Sequence, residues 1–130
     1  MRKFVFIICL SVFVMDCKKQ HNPTPQGYIG NWELRAQSGG IAGTSNHFPP
    51  GNGHELQLAA DSTFKYYEGA TIINQGTFRI IKNSLTYGTQ NFDGIYYNFN
   101  TEGLPIQLQG DSLSIGIDFD DQIVSLYVRQ

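Results

Sequence analysis

From Trp32 to Val128, apolar and polar residues alternate with a period of two, broken every ten residues or so by a turn signal. In an extended chain this period sends successive side chains to opposite faces, so each run predicts a strand with one buried face. Trp32-Glu33-Leu34-Arg35-Ala36 is the first run, and His54-Glu55-Leu56-Gln57-Leu58 the second. The turn Ala60-Asp61-Ser62 leads to Phe64-Lys65-Tyr66, and Thr77-Phe78-Arg79-Ile80 meets a turn at Lys82-Asn83 before Leu85-Thr86-Tyr87. Ile95 to Phe99, Leu104 to Leu108, Leu113 to Phe119 and the Val124, Leu126, Val128 series complete about nine strand candidates. No stretch carries a helical period.

Short connections favour pairing in chain order, which predicts an all-β fold: a single antiparallel up-and-down barrel of about eight to ten strands. A two-sheet sandwich is the alternative. The alternation assigns Leu56, Leu58, Phe64, Phe78, Ile80, Leu85, Leu113, Ile115, Ile117, Leu126 and Val128 to the interior. Pro105, within a strand pattern, marks an edge, a bulge or the seam of the barrel. Gln37 to Gly53 is the one long irregular segment, with five glycines (Gly39, Gly40, Gly43, Gly51, Gly53) and an apolar set of Ile41, Phe48 and Pro49-Pro50. It is expected at one rim as the most mobile part, either as a lid or docking loop or as a plug with Phe48 in the core.

Before the barrel pattern the chain changes character. Met1-Arg2-Lys3 is a basic start, Phe4 to Val14 is apolar, and the sequence turns polar from Lys18. This is the layout of an export signal. Eleven residues make a helix of about 16 Å, too short for a hydrocarbon core of about 30 Å. The boundary at Cys17 resembles that of bacterial lipoproteins, with Val14 at the aliphatic position and Met15 and Asp16 larger than the small residues of that pattern. The resemblance implies a signal peptide over 1–16, an acylated Cys17 and a tether over 17–26. It places the protein in the cell envelope, anchored to a membrane and facing the periplasm or the exterior. An uncleaved signal-anchor or an ordinary secreted protein are the other readings of the leader.

Composition narrows the rest. Both cysteines fall in the first seventeen residues, so the domain over 27–130 has no disulfide to form and must be held by packing. Without Arg2, Lys3 and Asp16 the chain has seven Lys/Arg and ten Asp/Glu, a net charge of −3 with no basic stripe. That argues against nucleic acid as a partner, and a monomer is expected. Lys18 to Gln26 has no apolar side chain except two prolines and predicts a solvated linker.

Gly30-Asn31-Trp32, at the entry of the first strand, resembles the Gly-x-Trp signature of lipocalins. The Gly/Pro-rich loop, the strand and turn from Leu56 to Phe64, and Gly76-Thr77-Phe78 are similar to small bacterial lipocalin-like lipoproteins. The resemblance covers about Gly30 to Ile81 by motif and implies that Trp32 packs under Arg129 of the last strand. Avidin-type barrels share the Gly-x-Trp start but none of the further pattern. Phe64, Tyr66, Phe78, Tyr87, Tyr97 and Phe99 fall on expected inward faces, while Tyr67 and Tyr96 fall outward. Such rings ordinarily fill a small barrel. Buried tyrosine hydroxyls want partners that a ligand could supply, which makes Tyr66, Tyr87, Tyr97 and Phe48 the candidate ligand-binding residues.

Catalytic chemistry has no foothold in the sequence. There is no Gly-x-Ser-x-Gly, phosphate loop or dinucleotide fingerprint, so no enzyme activity and no cofactor are expected. His47 and His54 lack the further ligands a metal needs, and Asp118, Asp120 and Asp121 lack the ordered oxygens of a calcium loop. Two readings stay open: a barrel that binds a small apolar or amphipathic molecule, or an envelope assembly lipoprotein with a packed, ligand-free interior.

Overall fold

The period-two alternation resolves into nine antiparallel strands, with no helix among the described residues. The computed structural model describes residues 27–119 and 121–130; the expected signal peptide, Cys17 and the tether lie outside them, as does Asp120. In chain order the strands are β1 (Gly30–Gly39), β2 (Thr44–His47), β3 (His54–Leu58), β4 (Thr63–Glu68), β5 (Thr71–Tyr87), β6 (Gln90–Tyr97), β7 (Leu104–Gln109), β8 (Ser112–Ile115) and β9 (Ile123–Arg129). Neighbours pair in sequence order from β3 to β9, and β1 joins β9 to close the sheet. The fold is thus an eight-stranded up-and-down barrel with one extra strand, β2. The reason for the extra strand lies in the length of β1. Its first half, Gly30 to Glu33, pairs with β3, and its second half, Ala36 to Gly39, pairs with β2 along the edge that β3 leaves open.

Closure leaves one continuous interior. Trp32, Leu34, Leu56, Leu58, Phe64, Phe78, Ile95, Ile106, Leu113, Ile115 and Tyr127 form a single buried cluster. Each large apolar side chain buried here stabilises by about 1.5 to 3 kcal/mol, which is how a domain without disulfides holds together. At one end Trp32 is fully buried and donates its Nε1–H to the Tyr28 carbonyl at 2.9 Å. The Arg129 guanidinium lies 4.2 Å from the centre of the Trp32 ring and donates to the carbonyls of Ile29 and Gly27. Gly30 is required for this arrangement, because a Cβ there would come within 2.5 Å of the Arg129 guanidinium and its φ is +153°. The Gly-x-Trp motif and the arginine therefore form one closing device, and the expected Trp32–Arg129 contact is present.

Several expected facings are corrected. On β9, Tyr127 is buried while Leu126 is 39% exposed and Val128 only half-buried. Trp32 is paired with Arg129 and Leu34 with Tyr127, so residues 127 and 129 face inward and 126 and 128 cannot. On β1 the register shifts between Leu34 and Ala36, a bulge at Arg35 that breaks the alternation before Ala36. On β5 it shifts again between Ile81 and Leu85. Ile95 of β6 is a core residue, so Phe92, three positions away, is on the opposite face, and its partner Leu85 goes with it. Ile117 lies beyond the end of β8, where the positive φ of Gly116 turns the chain, and is half-buried. Phe99 sits in the β6–β7 connection and is 93% exposed. Tyr96 is on the outer face yet buried, packed over Gly94 and Gly103 beneath the Arg79 guanidinium. Pro105 belongs to the β6–β7 ladder of three residue pairs, the shortest in the sheet.

Candidate ligand site at the barrel mouth

In an up-and-down barrel alternate connections emerge at the same end. The end opposite Trp32 therefore carries the β1–β3 segment and the β4–β5, β6–β7 and β8–β9 connections. Inside this end lies a cavity of about 230 Å³. Its aromatic lining comes from Phe48, Tyr66, Tyr67 and Tyr127, with Leu34, Gln37, His54, Glu55 and Ile73 completing the wall.

Tyrosines supply most of its polar chemistry. Tyr66 of β4 and Tyr97 of β6 reach towards each other until their hydroxyls are 2.9 Å apart. Phe64 stands edge-on to both rings, with centroids 5.8 Å from Tyr66 and 4.7 Å from Tyr97. Burial, followed by the neighbouring Tyr97 hydroxyl, pushes the Tyr66 phenol far above its usual range. Burial does the same to Tyr97 and to Tyr127, the latter aided by the Tyr66 hydroxyl. All three remain neutral donors and acceptors at physiological pH. Gln37, turned inward by the Arg35 bulge, donates to Ser125 Oγ at 3.2 Å.

The segment from β1 to β3 is more ordered than its composition suggests, which corrects the expected irregular loop. Thr44 to His47 form β2, and the Phe48 N–H donates to the Arg35 carbonyl at 2.8 Å. Phe48 is half-buried against the core and edge-on to His54, with centroids 5.5 Å apart. Beyond it the chain is fastened by polar contacts. Glu33, only 2% exposed, accepts from the Gly51 N–H at 2.9 Å and lies 2.8 Å from Arg35 Nε. Asn52 donates to the Leu34 and Pro49 carbonyls and accepts from the His54 N–H. Phe48 thus sits at the mouth as a partial plug, while the tip of the segment stands clear, with Ile41 91% exposed.

Of the four candidate residues, Tyr66 and Phe48 line the cavity, and Tyr97 stands behind Tyr66, joined to its hydroxyl, without entering the wall. Tyr87 does neither: it stacks with Phe92 and Phe119, and none of these three lines the cavity. Tyr127, His54 and Gln37 are additional members that the alternation did not single out, with Ser125 behind Gln37. Large exposed apolar side chains gather at the same end, namely Ile41, Ile72, Ile73, Phe99, Leu104 and Ile123. The turns at the Trp32 end are small or polar: Ala59 to Ser62, Gly88-Thr89 and Gly110-Asp111.

Two larger hollows, about 290 Å³ between β6 and β7 and about 460 Å³ beside Asp61 and Lys65, are open grooves on the surface. Among the described residues no three His, Cys, Asp or Glu side chains converge as metal ligands would. Comparison with protein-family models, with characterised proteins and with solved structures finds no match to this chain.

Proposed function

We propose that the barrel mouth takes a small amphipathic molecule and that the chain is held at a membrane of the cell envelope through an acylated Cys17. The observation that carries the ligand reading is the mouth cavity itself, where paired tyrosine hydroxyls lie behind an apolar rim. Ligand pockets combine a mostly apolar wall with a few placed polar groups, and this one has that balance. Its size sets the scale. At about 230 Å³ it falls below the roughly 300 to 1,000 Å³ of drug-sized sites and equals the liquid volume of about eight waters. A short ligand, or one end of a longer one, fits; a whole lipid does not. The Gly30–Trp32–Arg129 device and the chain-order barrel support the lipocalin-like resemblance, which belongs to the same proposal.

A fluorescent apolar probe tests this reading. Phe48 forms part of the wall without being fully buried, so Phe48→Ala should weaken probe binding about tenfold while costing only about 1 to 2 kcal/mol of stability. Equal binding by both proteins would mean that the probe sits elsewhere. The anchoring reading rests on the basic start, the short apolar run and Cys17. Cys17→Ser is expected to move the protein out of the membrane fraction or to leave the precursor unprocessed, because stable anchoring depends on acyl chains. An unchanged fraction and an unchanged mass would end it.

The exposed apolar rim favours a second reading, an assembly lipoprotein that docks a partner with its mouth end. Under that reading Phe48→Ala leaves small-probe binding unaffected, and substitutions of Ile41 or Phe99 abolish partner capture.

A further inference from the structure

Resting on the ligand reading, we infer that the mouth selects a ligand whose polar head is positively charged, of the ammonium class, over one bearing a carboxylate or another anion. Phe48, Tyr66 and Tyr127 line the cavity, and Tyr67, on the outer face of β4, borders it at the rim. The face of such a ring is electron-rich and attracts a cation that approaches within about 6 Å of its centre. Glu55 borders the same cavity at its rim, on the face of β3 opposite the buried Leu56, and no lysine or arginine lines it.

The surroundings carry the same sign. The segments at this end, 40–53, 68–72, 98–103 and 116–122, contain Glu68, Glu102, Asp118 and Asp121 and not a single lysine or arginine. Arg35, the nearest basic residue in sequence to the first of these segments, is drawn to the buried Glu33 carboxylate. A bound carboxylate would therefore meet no lysine or arginine in the cavity wall, only the His54 imidazole, because Arg79 is engaged outside it with the Asn100 carbonyl and the Tyr96 ring. The acidic groups around the mouth would repel it, and it would lose hydration with little compensation. Neutral hydroxyls at Tyr66 and Tyr97 remain to accept or donate a single hydrogen bond, and they add no charge of either sign. A cation meets π faces and a negative field, and an alcohol meets hydrogen-bonding groups alone. The order of preference is thus ammonium, then alcohol, then carboxylate.

Isothermal titration of the intact protein with octyltrimethylammonium, octanol and octanoate, all below their micelle concentrations, tests this order, since the three share one tail. The ammonium should bind about tenfold or more tightly than octanoate, the scale of a partly screened charge with a cation–π contact. In Glu55→Gln combined with Glu68→Gln that ratio should narrow to less than about threefold. Octanoate binding as well as the ammonium, or better, would overturn the charge preference and leave the ligand reading standing. Binding of none of the three would overturn both. A ratio that the double substitution leaves untouched would overturn the part given to the carboxylates.

Discussion

Trp32→Ala is expected to cost the domain about 3 to 5 kcal/mol, the range for deleting a fully buried large aromatic side chain. Three losses coincide at this position. The ring leaves a cavity at the closed end, the Tyr28 carbonyl loses its indole donor, and Arg129 loses the face it lies over. A domain of this size melts about 4 °C lower for each kcal/mol lost, so a fall of about 12 to 20 °C is expected by calorimetry. Arg129→Lys keeps the charge but not the planar fork that stacks and donates to two carbonyls, and should cost about 1 to 2 kcal/mol. A fall of less than about 4 °C for Trp32→Ala would show that the closed end is not held by this contact.

Alkaline instability is the second large effect. Tyr66, Tyr97 and Tyr127 are buried as neutral phenols, with pKa values pushed above the ordinary value near 10. Because the folded-state values are raised, their contribution to stability is fully present below about pH 10 and is lost as pH rises past it. Above that point the unfolded chain releases protons that the folded chain retains, so stability falls with pH. Each such group contributes a slope of about 1.4 kcal/mol per pH unit, which gives about 4 kcal/mol per unit for the three together. A marginal stability of about 5 to 15 kcal/mol would then be consumed within a few pH units. Chemical denaturation between pH 8 and 12 checks this. Tyr66→Phe with Tyr97→Phe should reduce the slope by about two thirds, and a stability that is flat across pH 10 to 11.5 would contradict the burial of these hydroxyls.

What the sequence disclosed of this fold follows from what alternation can and cannot encode. Interior positions of a closed sheet must be apolar, so β3, β4, the middle of β5 from Thr77 to Ile80 and β8 stand out, and Leu56, Leu58, Phe64, Phe78, Leu113 and Ile115 are buried where the period puts them. Parity is lost at bulges. Arg35 and the stretch Lys82 to Ser84 insert residues without an apolar signature, and only Asn83, with its positive φ, hints at the second. The parity of β9 was undecidable from Val124, Leu126 and Val128 alone, since outer faces of small barrels also carry apolar side chains. Arg129 held the answer, because an arginine facing Trp32 excludes residues 126 and 128 from the interior. β2 was silent for another reason: Thr44-Ser45-Asn46-His47 has no apolar residue, and its pairing is dictated by the unused edge of β1.

The site was legible to a similar degree. Tyr66 and Tyr97 were visible as inward tyrosines, and Phe48 as the apolar residue of a long segment. Tyr127 was hidden by the parity of β9, and Tyr87 was carried to the other face by the β5 bulge. His54 and Gln37 reach the mouth only because β1 bulges and the Phe48 to Gly53 segment folds back on Glu33 and Leu34. Such contacts join residues fifteen or more positions apart, beyond the reach of any local period.

The proposed function stands on the tyrosine-lined mouth being a binding site. Native mass spectrometry of the protein isolated gently from its own cells tests this, with the Tyr66→Phe, Tyr97→Phe double variant alongside. A discrete small-molecule adduct is expected on the unaltered protein, lost or much reduced in the variant. A protein that carries no adduct, or one whose adduct survives removal of both hydroxyls unchanged, would contradict it.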